Sequence, residues 1–174
     1  MNFSLDKSIE ILERTPAVIA ALTTGLSPEW TDSNEGADTW NVFDVVGHLV
    51  HGDRTDWIVR AELILSDSDN KAFSQFDRFA QFENSKGKTL LQLLDEFKTV
   101  RTASIDRLRK LQITGDDLAK TGLHPTFGRV SLSQLLSTWV VHDLDHIAQI
   151  SRIMAKQYKE QTGPWIEFLK ILRQ

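Results

Sequence analysis

Five histidines and no cysteine bound the chemistry open to this 174-residue chain. Two of them stand four residues apart in Trp139-Val140-Val141-His142-Asp143-Leu144-Asp145-His146. A helix turns by about 100° per residue, so both fall within roughly 20° of a line through Leu135 and Ile153. Trp139 and Gln149 lie near the same line, on a stripe expected to face the core of a bundle. Two imidazoles one turn apart on an inward face can share one metal ion. A third donor has to come from another helix, and His48 in Val45-Val46-Gly47-His48-Leu49 is the natural candidate. The competing reading is a pair of core histidines satisfied by hydrogen bonds, since a buried imidazole is costly without partners. Two at helical spacing, with a third in mid-helix elsewhere, favour metal.

Their neighbours extend this reading. Asp143 and Asp145 could each accept a second imidazole N–H and so orient a ligand ring, or could be solvated helix-surface carboxylates. The second helix also carries His51, which borders its apolar side less closely than His48 and is expected at the rim. Asp53 and Asp56 could add an oxygen ligand, although exposed helix carboxylates are commoner. His124, in Gly122-Leu123-His124-Pro125, stands in a loop that could fold back toward the histidine pair, although nothing in the sequence requires it. Trp139 and Gln149 could shape a pocket or could be core filler and a solvated amide. Three neutral histidines leave a divalent ion, zinc or nickel, with its charge and an open position. Such a site supports hydrolysis through acidified water or transfer through a deprotonated thiol. From the residues alone the expectation is a metal-dependent enzyme, with a non-catalytic metal-binding protein as the alternative. No Gly-x-Ser-x-Gly elbow, phosphate loop or dinucleotide fingerprint is present, and Asp143 stands where a zinc protease has glutamate.

Composition points to one ordinary domain over residues 1–174. Hydrophobic residues make up 41% of the chain, enough for a single core. The absence of cysteine excludes disulfides and thiolate sites and fits a reducing, cytoplasmic setting. The first seven residues hold no apolar run of signal-peptide length, and no stretch approaches the roughly 20 apolar residues of a spanning helix. Net charge is −4 with both signs interspersed, so neither nucleic acid nor membrane is an expected partner.

Helical periodicity dominates the elements that must position these residues. A first helix is expected over residues 5–24, with a kink or restart at Pro16. A second runs from about Asn41, where Asp44 favours the N-terminus, to about Leu65. Phe73, Phe76, Phe79 and Phe82 recur every third residue in a less regular stretch. They suggest a loop pinned to the core, with a short helix or an aromatic cover over a pocket as alternatives. A third helix begins at the capping box Thr89/Gln92 and ends near Lys110. A connection over residues 114–130 follows, and a fourth helix runs from the capping box Ser131/Gln134 to about Tyr158. After Gly163-Pro164, a short final helix carries Trp165, Phe168, Leu169 and Leu172, an apolar surplus that predicts end closure or a twofold dimer. No strand-like alternation of useful length is evident. These elements predict an all-α four-helix bundle with one long connection and a short C-terminal helix.

Two segments carry a family resemblance. Trp40-Asn41-Val42-Phe43-Asp44-Val45-Val46-Gly47-His48-Leu49 resembles the helix-two motif of the DinB-like (DinB/YfiT) superfamily. The run from Gly128-Arg129-Val130-Ser131-Leu132-Ser133-Gln134 through His142-Asp143-Leu144-Asp145-His146-Ile147-Ala148-Gln149-Ile150 resembles its glycine turn and fourth-helix motif. The resemblance implies a bundle that is commonly a homodimer, with a divalent ion on three histidines, here His48, His142 and His146. It also implies a small-molecule substrate. Related activities include S-transfer and isomerisation with low-molecular-weight thiols, so the expected chemistry is thiol-dependent transfer, with hydrolysis or stress-response metal binding as alternatives.

Overall fold

A computed structural model describes residues 2–173, leaving Met1 and Gln174 outside the described residues. Four principal rods form an all-α bundle: α1 (Leu5–Thr23), α3 with α4 (Val42–Thr55, Trp57–Leu65), α6 (Leu90–Lys110) and α7 (Leu132–Lys156). Short helices α2 (Pro28–Thr31) and α5 (Ala80–Ser85) punctuate the connections. The caps are where the sequence puts them. Asn41 with Asp44, Thr89 with Gln92, and Ser131 with Gln134 each form a reciprocal capping box that satisfies first-turn N–H groups.

Two apolar clusters fill the bundle. One contains Leu12, Ile58, Ile105, Leu136 and Trp139, the other Ile19, Val46, Leu49, Phe97 and Ile150. On three of the rods a charged residue falls between the two clusters: Asp53 on α3, Arg101 on α6, Asp143 on α7. All three are buried. Arg101 donates from Nε and Nη2 to Asp53 at 2.7 and 2.9 Å, and from Nη2 to Asp143 Oδ1 at 3.0 Å, with a further bond from Nη1 to Asp143. Its Nη1 also donates to the Leu12 carbonyl at 2.8 Å. That carbonyl is free because Pro16, four residues on, has no N–H to return to it. The helix continues through Pro16 with no restart, and the missing backbone bond is replaced by an arginine from α6.

Elsewhere the structure departs from the periodic reading. The second helix is broken at Asp56 (φ −118°, ψ −80°), which aims Trp57 at the core, where its ring stacks on Trp139 at 6.1 Å. The connection before α7 holds an antiparallel hairpin, β1 (Thr121–His124) with β2 (Gly128–Ser131), paired Thr121 to Ser131 and His124 to Gly128. These strands are four residues each, too short for alternation to register. The aromatic stretch is anchored to this hairpin: Phe73 N–H donates to the Leu123 carbonyl and Leu123 N–H to the Lys71 carbonyl, both at 2.9 Å. A Cβ on Gly122 would lie 2.3 Å from the Phe73 ring, so only glycine lets the two approach. The C-terminal segment forms 3-10 turns over Glu160–Phe168 and Lys170–Leu172, interrupted by Gly163 at φ +51°.

Replacing Arg101 with methionine leaves two carboxylates and the Leu12 carbonyl buried without their donor. The expected cost is about 3–5 kcal/mol of unfolding free energy. Urea titration checks it, and a loss below about 1 kcal/mol would show that the network is dispensable.

Candidate metal centre

Helices α3 and α7 bring His48, His142 and His146 together, each offering one ring nitrogen within 4.8 Å of the others. The nitrogens that converge are Nε2: His142 Nε2 lies 3.1 Å from both His48 Nε2 and His146 Nε2. Tetrahedral zinc with Zn–N bonds of about 2.0–2.1 Å requires ligand nitrogens about 3.3 Å apart, so this spacing fits one small divalent ion. The ring of His146 supplies a second observation. Its Nδ1 lies 2.7 Å from Gln149 Oε1, an acceptor, so the proton sits on Nδ1 and the Nε2 lone pair points into the cluster. In a purely hydrogen-bonded trio His142 Nε2, which carries either one hydrogen or one lone pair, would have to serve two neighbours at once. The arrangement suits an ion better.

Burial keeps the trio neutral. His48 is pushed down to about 3, chiefly by desolvation and further by the charges of His146, His51 and Arg78. His142 falls to about 2 for the same leading reason, with His146, His48 and Arg101 adding to it. Desolvation also lowers His146, opposed by the Gln149 hydrogen bond and by Asp145 and Asp143. Aromatic rings supply the apolar wall: Trp40 lies 4.8 Å from the His48 ring, Trp57 4.9 Å from His142 and Phe76 5.6 Å from His48.

Other residues singled out in the sequence fall differently. His51 is buried rather than at the rim, its ring 5.0 Å from Phe76 and its Nδ1 3.4 Å from Asn84 Nδ2. It does not join the trio. Asp143 is committed to Arg101 and Asp145 is exposed, so Gln149 is the residue that orients a ligand ring. Trp139 belongs to the core. The four phenylalanines divide the readings between them: Phe73 pins the loop, Phe76 covers His48, Phe79 caps the short helix α5, and Phe82 lies within it, the last two exposed. Asp53 and Asp56 are both buried in ion pairs, where exposed helix carboxylates were the commoner expectation.

A cavity of about 220 Å³ opens beside the trio, with His48, His142, Asp56, Arg60, Phe76 and His124 in its wall. For His124 the sequence left a fold-back of its loop open, while Arg60 was not singled out. A long-range hairpin carries the first, and the break at Asp56 aims the second. A larger groove of about 500 Å³ between α1 and α6 contains no histidine.

The chain matches the DinB superfamily over residues 11–150 and belongs to it. Among solved structures it is similar to YfiT from Bacillus subtilis, with a TM-score of 0.75, 23% identity, and coverage of 92% of this chain and 91% of that one. YfiT is described as "a probable metal-dependent hydrolase with an unusual four-helix bundle topology", and the likeness establishes a shared fold. No curated protein sequence gave a significant match.

Burial raises the Asp56 carboxyl from 3.8 to about 6, with the Arg60 charge opposing it. Because the folded value lies above the unfolded one, its contribution to stability is full below pH 4 and is lost as pH rises through 6. In metal-free protein the stability of wild type relative to Asp56→Asn should therefore fall by about 1–3 kcal/mol between pH 4 and pH 7. Thermal or urea unfolding across that range measures it, and a flat difference would contradict the assignment.

Proposed function

We propose that the protein is a metal-dependent enzyme holding one divalent ion, zinc or nickel, on His48, His142 and His146, and that it hydrolyses a small-molecule substrate. The observation that carries the reading is the convergence of three Nε2 atoms, one of them with its tautomer set by Gln149. An ion bound there would supply Lewis acidity toward a carbonyl and toward water or a thiol. The chain's own groups do the rest. Trp40, Trp57 and Phe76 hold water away from the ligand rings, Gln149 keeps the His146 proton on Nδ1, and Asp56 places a carboxylate of raised pKa in the adjoining cavity. A carboxylate of that kind is suited to taking a proton near neutral pH.

Thiol-dependent S-transfer is the expectation drawn from the family resemblance. Hydrolysis is preferred for the Asp56 carboxylate beside the trio, a proton acceptor that a water nucleophile needs more than a thiol does. The description of YfiT as a hydrolase points the same way. The two separate cleanly. A panel of esters and amides, run with and without low-molecular-weight thiols on metal-loaded protein, should show turnover that ignores thiol and stops with chelator. A strict thiol requirement would overturn hydrolysis in favour of transfer. No turnover by fully loaded protein would favour a metal-binding role.

His146→Ala should abolish metal binding while leaving the helical circular dichroism unchanged, as elemental analysis after dialysis would show; an unchanged metal content would remove the trio from consideration. Gln149→Ala should weaken metal affinity by about 10- to 100-fold without abolishing it. Competition against a chromogenic chelator reads this, and an unaltered affinity would show that the tautomer is set by other means.

The proposal extends to a twofold dimer. It is supported by the exposure of Trp165 (70%) and Phe168 (82%) on the C-terminal turns, while Leu172 is buried against the bundle.

A further inference from the structure

The cavity beside the trio has a second polar end. Arg60 is buried in its wall and fixed on three sides: Nε lies 2.7 Å from Asp56 Oδ1 in an ion pair, Nη2 donates to the Ser74 carbonyl at 3.3 Å, and the guanidinium lies 5.0 Å from the centre of the Phe73 ring. Among the described residues nothing takes its Nη1 hydrogens. His124 faces the same space from the tip of the hairpin. Its Nδ1 accepts from the backbone N–H groups of Thr126 and Phe127 at 3.1 and 3.3 Å, so the neutral ring carries its proton on Nε2 and is a donor. The Phe127 ring stacked at 4.6 Å holds the imidazole in place. Burial and the nearby Arg60 charge lower the His124 pKa, which keeps that tautomer at neutral pH.

Two preorganised donor groups and two of the clustered histidines thus line one cavity of about 220 Å³. That is below the roughly 300–1,000 Å³ of a site for drug-sized ligands. Asp56, the acid in the wall, spends one oxygen on Arg60. We infer that the substrate is a small compound bearing a carboxylate, which Arg60 and His124 hold while its reacting group reaches His48 and His142. A planar guanidinium pairs with the two oxygens of a carboxylate through parallel N–H bonds, and such charge-assisted bonds are about twice as strong as neutral ones. The inference rests on the proposed metal site for the position of the reacting end, but the carboxylate anchor is a property of the chain itself.

Calorimetry on zinc-loaded protein with succinate, monomethyl succinate and acetate tests it. Succinate should bind about tenfold more tightly than either monoanion, since one end has a second charged anchor. Arg60→Gln should reduce succinate to the affinity of monomethyl succinate, with zinc content and acetate affinity unchanged. Arg60→Lys, which keeps the charge and loses the planar fork, should keep part of the advantage and serves if the glutamine variant does not fold. An advantage that is absent in wild type, or that survives Arg60→Gln, overturns the anchor. Zinc content read on the same samples fails separately: protein that takes no zinc overturns the metal reading alone. The anchor is then decided on metal-free protein, where propionate should shift the His124 ring resonances in wild type and not in Arg60→Gln. Unshifted resonances in wild type would overturn it there too.

Discussion

One guanidinium holds all four rods of the bundle at the level of the candidate site. Arg101 on α6 is bonded to Asp53 on α3, to Asp143 on α7 and to the Leu12 carbonyl on α1. The last of these bonds exists because Pro16 leaves that carbonyl without its helical partner, so a proline that would ordinarily cost a helix about 3 kcal/mol becomes a docking point for another helix. Buried ion pairs gain little net stability over a well-packed apolar alternative, because desolvation offsets most of the attraction. What this one does secure is register. Asp143 is the neighbour of His142, and Asp53 lies five residues beyond His48 on the same helix. A one-turn slip of α3 against α7, about 5.4 Å, would break the Arg101 contacts and separate the imidazoles. The rest of the site inherits its geometry from this constraint.

The polar layer also explains why so much chemistry fits inside a small bundle. Two apolar clusters, one on each side, supply the packing, while the layer between them is populated by groups that pair with one another. The histidines face a wall of Trp40, Trp57 and Phe76 that keeps them neutral and ready to donate lone pairs. The adjoining cavity, by contrast, retains Asp56, Arg60 and His124. An apolar, lone-pair-rich end and a donor-bearing end share one small volume, an arrangement suited to gripping a compound at one place and reacting it at another.

The rods and the trio were legible because both rest on local periodicity. Three capping boxes and the spacing of His142 and His146 are i, i+3 and i, i+4 patterns, visible in a few consecutive residues. His48 needed only an apolar helix face to stand out. The features that were not legible depend on pairs far apart in sequence. Pro16 reads as a break unless the arginine 85 positions later is known to replace its missing bond. Asp53, Asp56 and Asp143 read as surface charges because charged residues are rarely buried without partners, and the partners are long-range for two of them. The hairpin that brings His124 to the cavity has strands too short for alternation to show. Gln149 lay on the predicted stripe, but that its amide would accept the His146 proton is a matter of side-chain geometry.

X-ray absorption at the zinc edge of the zinc-loaded protein tests the central claim most directly, because it reads the ligand shell without reference to activity. The account predicts three imidazole nitrogens at about 2.0–2.1 Å, with their characteristic ring scattering, and one light-atom position completing a four-coordinate shell. A shell with fewer than three imidazoles, or one dominated by carboxylate oxygen, would contradict it.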